Sequence, residues 1–335
     1  MSRGLLQLSG IVVDLVHRID ALPRAGDEVE ARDFMITPGG GFNAMVAAKR
    51  LGAAVTYGGT LGTGPFSEMA ARTLSGMQIP IAARNRAEND QGSCVVIVDA
   101  NGERSFISHH GAERRIDRMH LDGLGAAGYA YALLSGYSLY KPESAAAFVP
   151  WLAALSRPPQ LLFDPGPVVA DITPAALALA MARADWVSVN AREAQVLTGE
   201  SNSANAAATL GAGRSGALVR IGAGGCWLAT SDGVRYVVGF KVDAIDSNGA
   251  GDTHDGAFIA ALLAGATPVD AATIANAAAA LSTTRLGPAT APDWTEVSHL
   301  LKQTERAVAW PVNHVKSNRG SRDFHDKEEE NAATQ

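Results

Sequence analysis

The sequence predicts an α/β protein: a three-layer α/β/α sandwich with a mostly parallel central sheet and a small β-sheet lid. Two observations carry that reading. Apolar, β-rich runs alternate with Ala/Leu-rich helical runs from the N-terminus to about residue 308, the rhythm of stacked βαβ units. One stretch breaks the rhythm. In GSCVVIVDANGERSFIS (92–108) two alternating runs flank Ala100-Asn101-Gly102, a hairpin-turn signal, and a hairpin has no place inside a parallel sheet.

Taken in order, LLQLSGIVVDL (5–15) reads as one strand and NAMVAAKRLG (43–52) as a helix closed by Gly52. AAVTYGGTLG is the next strand and PFSEMAARTLSGM the next helix. The 92–108 hairpin, with part of 11–37, forms a β lobe over the C-terminal edge of the large sheet, where open α/β sheets bind ligands. From about residue 130 the rhythm is regular: YALLSGY and QLLFDPG as strands, PAALALAMAR as a helix, DWVSVN as a strand. ALVRIGAGGCWLA then reads as strand, glycine turn, strand, and Val238, Phe240 and Val242 alternate as in a further strand. From Pro311 the chain is charged and poor in apolar residues. Such a segment cannot offset its ordering entropy, so 311–335 is read as a disordered tail.

A chain of 335 residues, 47% hydrophobic and 19% charged, can bury a large core. Its formal net charge of -6 argues against nucleic-acid or anionic-membrane partners, which call for clustered Lys and Arg. Cys94 and Cys226 lie in no CxxC or His-spaced pattern, which fits a reducing cytoplasm. The N-terminus lacks a cleavage site at signal-peptide spacing. No apolar run reaches the roughly 18 to 20 residues of a membrane span.

The chemistry concentrates in VVGFKVDAIDSNGAGDTHDGAFIAALLA (237–264). Ser247-Asn248-Gly249-Ala250-Gly251 is a loop of small residues, and Asp252 opens an apolar helix. A glycine turn into a helix start leaves N–H groups unpaired and adds the positive end of the helix dipole. That makes an anion hole, with glycine needed because a Cβ would block a phosphate. A carboxylate at the same point repels phosphate but suits proton removal from a hydroxyl that attacks it. Taken alone, Asp252 reads first as a helix cap.

At these residues the sequence resembles the ribokinase-like, or PfkB, family of carbohydrate and nucleoside kinases. Asp246-Ser247-Asn248-Gly249-Ala250-Gly251-Asp252 is similar to the family's D-x-x-G-A-G-D, and Pro38-Gly39-Gly40-Gly41-Phe42-Asn43-Ala44 to its N-terminal signature. Two signatures about 200 residues apart, each at a strand-to-helix junction, make chance a poor explanation. The resemblance implies a ribokinase-like kinase domain over 1–310, its lid formed by parts of 11–37 and 92–111. It implies ATP and Mg2+ as cofactors, with Asp252 as general base and Gly249, Ala250 and Gly251 as the anion hole. Asp14, Gly39, Gly40 and Asn43 fall on the acceptor side, and Asn190, Glu193, Arg220, Gly222, Gly225 and Asn276 on the nucleotide side. Glu193 would hold Mg2+ through water. Asp246 and Asn248 would hold K+, with a further contact near Gly287.

Each of the nucleotide-side matches has a plainer alternative. Asn190 and Glu193 could form a capping box, residues 220–225 a simple hairpin turn, and Asn276 a polar helix face. Several positions depart from the family's commonest pattern. Asn248 stands where Thr is frequent and His254 where Phe is common. Gly62-Thr63-Gly64-Pro65 lacks the usual Asp, and Gly136-Tyr137 lacks the acid of ribose-specific members. These departures argue against strict ribose specificity. Arg104 reads as a surface strand charge, the alternative being a reach across the cleft to the substrate or a phosphate, and His109 and His110 lack a third ligand at metal spacing.

The expected function is ATP-dependent phosphorylation of a hydroxyl of a sugar-like molecule. A neutral polyol is expected because the acceptor side offers Asp14, Asn43 and few cations. A nucleoside kinase of the same family and a catalytically silent sugar or nucleotide sensor are the alternatives. A dehydrogenase is excluded because SGIVVDLV (9–16) lacks G-x-G-x-x-G. Two lids pairing through exposed strands would make a homodimer.

Overall fold

In the computed structural model, residues 4–82, 86–156, 159–306 and 308 are described; the predicted tail, 311–335, lies outside them. The chain opens with β1 (Leu5–Gln7), β2 (Ile11–Arg18), β3 (Asp33–Gly40) and α1 (Gly41–Arg50). Then come β4 (Val55–Tyr57), β5 (Leu61–Gly62), α2 (Pro65–Gly76), β6 (Arg86–Ala87), β7 (Ser93–Val98) and β8 (Arg104–His109). The middle holds α3 (Arg118–Gly123), β9 (Tyr131–Ser135), α4 (Pro142–Ala154), β10 (Gln160–Asp164), α5 (Pro174–Arg183) and β11 (Trp186–Asn190). Helices α6 (Ala191–Thr198) and α7 (Ser203–Gly211) lead to β12 (Gly216–Arg220), β13 (Gly225–Thr230) and β14 (Gly233–Val238). Helices α8 (Ala250–Leu263), α9 (Pro268–Ser282) and α10 (Trp294–Gln303) follow.

Eight strands form the central sheet in the order β14-β13-β12-β11-β10-β9-β1-β4. Its pairings are parallel from β4 through β12, and β13 and β14 extend it as an antiparallel edge. Strand alternation divides the apolar side chains between two cores. Leu5, Leu133, Leu162 and Leu218 enter one, packed by α1, α8 and α9. Their neighbours Leu6, Leu134, Leu161 and Val219 enter the other, under α4, α5 and α7. Both faces are therefore apolar and covered, as a parallel sheet requires.

The lid is a separate four-stranded sheet, β3-β2-β7-β8, in which β2 pairs parallel with β7 while the outer pairs are antiparallel. Val16, Val96 and Val98 make its own small core.

Two expectations are corrected. The run 5–15 is not one strand: it breaks at Leu8–Gly10, leaving β1 in the central sheet and sending β2 into the lid. Gly10 sits at the break, where its carbonyl accepts the Gly41 N–H at 2.9 Å and a Cβ would press on Glu113. The alternation through Phe240 and Val242 is not strand either, because β14 ends at Val238. Arg306 donates to the Val238 and Gly239 carbonyls and lies over the Phe240 ring, so an arginine takes the bonds that a further strand would have made.

Candidate active site

Helices α1 and α8 begin at glycine turns and pack closely along their length. Gly40, the N-cap of α1, has φ 60°, and Gly249, the N-cap of α8, has φ 71°. Left-handed backbone at these two points favours glycine. Gly256, mid-way along α8, lies so near the Ala44 backbone that no Cβ fits. That close approach carries Asn43, on α1, to within 3.1 Å of Asp252, on α8, and the Asn43 Nδ2 donates to Asp252 Oδ2 across 209 residues of sequence. The two motifs thus form one site. Both helix starts border a cavity of about 660 Å³ that runs along the C-terminal ends of β9, β10, β11 and β12. The first intrahelical bond of α8 is Thr253 N–H to the Gly249 carbonyl at 2.8 Å. The N–H groups of Gly251 and Asp252 therefore precede the helical ladder and are available to an anion.

Burial pushes the Asp252 carboxyl up to about 6, against the Asn43 amide that stabilises its charge; Asp255 adds to the rise and Arg220 opposes it. Asp14 rises further. Burial, with the Asp252 charge behind it, takes it to about 7. Asp14 lines the cavity from β2, and Gly39 on neighbouring β3 must be glycine because a Cβ would occupy the place of the Asp14 carboxylate. Asn43 Oδ1 is buried without a hydrogen-bond partner. A carboxyl and a carbonyl-type acceptor at one cavity suit hydroxyl ligands.

Beneath the helix start lies a charge cluster. Arg220 Nη1 donates to Ser188 Oγ and Asp255 Oδ1, both at 2.8 Å, and Nη2 donates to Asp164 Oδ2 at 3.0 Å. Burial works against charge on all three. For Arg220, the flanking Asp164 and Asp255 override it and hold the guanidinium charged. For Asp255, Arg220 overrides burial and holds the carboxyl low, whereas Asp164 stays raised under burial and the Asp255 charge. Arg220 also lines the cavity, and its guanidinium lies 3.5 Å from where a Gly251 Cβ would stand. It places a fixed positive charge beneath the Gly249–Gly251 turn. Asp164, Ser188 and Asp255 were not expected from the sequence, although an arginine ending the apolar strand ALVR must find buried partners.

Asn190 and Glu193 form the capping box of α6: Asn190 N–H donates to Glu193 Oε2 at 2.8 Å, and Glu193 N–H donates to Asn190 Oδ1 at 2.9 Å. Both also border the cavity, so the cap and a place beside the ligand are compatible. The Glu193 carboxylate keeps acceptor capacity for a water of Mg2+. Among the described residues no group of three acidic, His or Cys side chains could cage a metal. That donor set fits an ion that arrives with phosphates and keeps its waters.

Gly222 and Gly225 form the turn of the β12–β13 hairpin, with φ 63° and 103°. Gly225 is required there because a Cβ would strike the Val237 carbonyl. Asn276 is buried in α9, where Nδ2 donates to the Val237 carbonyl at 3.0 Å and Oδ1 faces His254 Nε2 at 3.1 Å. It ties α9 to β14 rather than facing the cavity.

Asp246 departs furthest from expectation. Its carboxylate accepts Asn248 N–H at 2.8 Å and Gly287 N–H at 3.0 Å. It also accepts Arg104 Nη2 from the lid, and Arg18 Nη2 lies 3.9 Å away. Arg104 is thus a bridge and not a surface charge, and the residues at Asp246 do not fit K+. The cavity also holds more cation than expected. Arg114 lines it, stacked 4.2 Å from the Tyr140 ring centroid and countered by Glu113 at 3.8 Å.

Comparison with known proteins gives the family. The chain is 31% identical over 283 residues to an uncharacterised sugar kinase, YegV, of Escherichia coli, covering 83% of this chain and 87% of that one. It is 26% identical over 295 residues to a ribokinase of Haemophilus influenzae, covering 86% and 94%. The crystal structure of a ribokinase from Thermotoga maritima superimposes with a TM-score of 0.79 at 24% identity, covering 89% of this chain and 99% of that one, which establishes the fold. The sequence profile of the pfkB family carbohydrate kinases matches residues 6–295, a span that holds both helix starts and all four lid strands, and the chain belongs to that family.

Proposed function

We propose that the enzyme transfers the γ-phosphate of ATP to a primary hydroxyl of a neutral sugar, with Asp252 as general base and the Gly249–Gly251 turn as the anion hole. The observation that carries this reading is the Asn43–Asp252 bond at the cavity, which sets a carboxyl of raised affinity for protons beside unpaired helix N–H groups. In the reaction Asp252 takes the hydroxyl proton as the oxygen attacks the γ-phosphorus. A new P–O bond forms, the bond to the β–γ bridging oxygen breaks, and ADP leaves. The Gly251 and Asp252 N–H groups, backed by Arg220, face the charge that gathers on the transferred group. Mg2+, entering with the phosphates, would neutralise phosphate charge, and Glu193 would meet its water shell. Asp14 and the unpartnered Asn43 Oδ1 accept hydroxyls of the sugar.

A neutral acceptor is favoured over a sugar phosphate because Glu113, 3.8 Å from Arg114, offsets its charge, while the buried Arg114 Nη1 has no hydrogen-bond partner among the described residues and is free to take a ligand oxygen. A nucleoside acceptor uses the same chemistry, and a silent sensor has no need of Asp252. No described helix is long and apolar enough to cross a membrane, and two free cysteines suit a cytoplasmic enzyme. Pairing of two lids through their edge strands would give a homodimer.

The test is phosphorylation by ATP of a panel of pentoses, hexoses, sugar acids, sugar phosphates and nucleosides. A neutral sugar should show the highest kcat/KM. A sugar phosphate as best acceptor would overturn the acceptor assignment, and no turnover with any of them would overturn the kinase mechanism.

A further inference from the structure

We infer that Arg104 is a built-in cation for the kinase site: its guanidinium, with Arg18 beside it, holds Asp246 as a bound monovalent metal ion would, so this enzyme works without K+. The inference rests on the kinase reading above. Asp246 is the pivot of the 239–249 segment, which has no strand or helix of its own and delivers the chain to Gly249. Its carboxylate bonds the Asn248 N–H on that segment and the Gly287 N–H on the loop after α9, so it joins the two loops on which the start of α8 depends.

A carboxylate buried to 6% exposure needs a positive partner, and the lid supplies it. Arg104 from β8 bonds Oδ1, across 142 residues of sequence, while Arg18 from β2 stands 3.9 Å from Oδ2. Two backbone N–H groups and Arg104 take three of the carboxylate's roughly four acceptor positions, and the Arg18 guanidinium stands over the remaining one. The charge count points the same way. Two guanidiniums face Asp246, and among the described residues the one other carboxylate paired with either is Asp33, which is exposed and 4.0 Å from Arg18 Nε. A metal ion brought to Asp246 would lie beside two fixed positive charges with no second buried anion to hold it. Because the cation is carried by the lid, the loop before the anion hole is fully held only when the lid is down. Arg104 touches no reacting atom; it is a positioning residue.

The experiment compares the full chain in potassium chloride and in tetramethylammonium chloride at equal ionic strength, reading both turnover with the best acceptor of the panel and melting temperature. Wild-type turnover and melting temperature should not depend on which cation is present. Arg104→Ala should lose about tenfold or more in kcat in tetramethylammonium, as expected when a buried charge loses its partner. K+ should then raise both its turnover and its melting temperature, while Arg104→Lys should remain indifferent to K+. A K+-specific rise in the wild-type rate or melting temperature would overturn the inference, as would an Arg104→Ala variant with wild-type kcat in tetramethylammonium. The wild-type melting comparison requires no turnover and no variant to fold, so it tests Asp246 even if the acceptor or the mechanism has been misassigned.

Discussion

Asp14 and Asp252 face one cavity, and neither is an ordinary surface carboxylate. Burial raises both, and the charge on Asp252 raises Asp14 further. The functional sign follows directly. The proposed general base must be unprotonated, so raising the pH through about 6 should switch Asp252 on. In its proposed role Asp14 would accept sugar hydroxyls best as a carboxylate, which it becomes at about 7. The expected kcat/KM profile therefore climbs from acid pH and levels off only above neutrality. Asp14→Asn should lower the plateau by about 10- to 100-fold, as loss of a charge-assisted hydrogen bond implies, and move the remaining limb towards 6. ATP and Mg2+ titrate identically in both proteins, so the difference reports Asp14. An unchanged limb would show that Asp14 does not govern acceptor binding.

At the scale of elements, what was legible in the sequence was local. The helix PAALALAMAR and the strand DWVSVN appear where periodicity placed them, because their flanking Pro174 and Asn190 mark helix starts. The junction of β1 and β2 was hidden because both pieces are apolar and alternate in the same way. Tertiary bonds, among them that from Gly41 to Gly10, separate them. The Arg104–Asp246 bridge was hidden for a related reason: a charge on a lid strand looks solvated until the loop it meets is known. The lid also has two open edges, β3 and β8, carrying exposed Phe34, Ile36, Phe106 and Ile107. Unprotected edges with exposed apolar side chains seek partners. Sedimentation at working concentrations should show a dimer, and Ile107→Lys should shift it to monomer. A wild-type monomer would exclude lid pairing.

The whole molecule brings residues 39–43 and 246–252 to one point by packing α1 on α8. The sequence showed both motifs but not the Asn43–Asp252 bond or the Arg220 cluster beneath it, since these depend on which helices and strands become neighbours. The central claim is that this meeting point performs proton removal and not helix capping alone. Asp252→Asn keeps the shape of the residue and some hydrogen bonding but cannot take a proton at neutral pH. The decisive measurement is kcat for Asp252→Asn beside calorimetric binding of ATP and acceptor. The account predicts a loss of about 10² to 10⁴ in kcat with both ligands still bound within a few-fold of wild type, and turnover within a few-fold of wild type would contradict it.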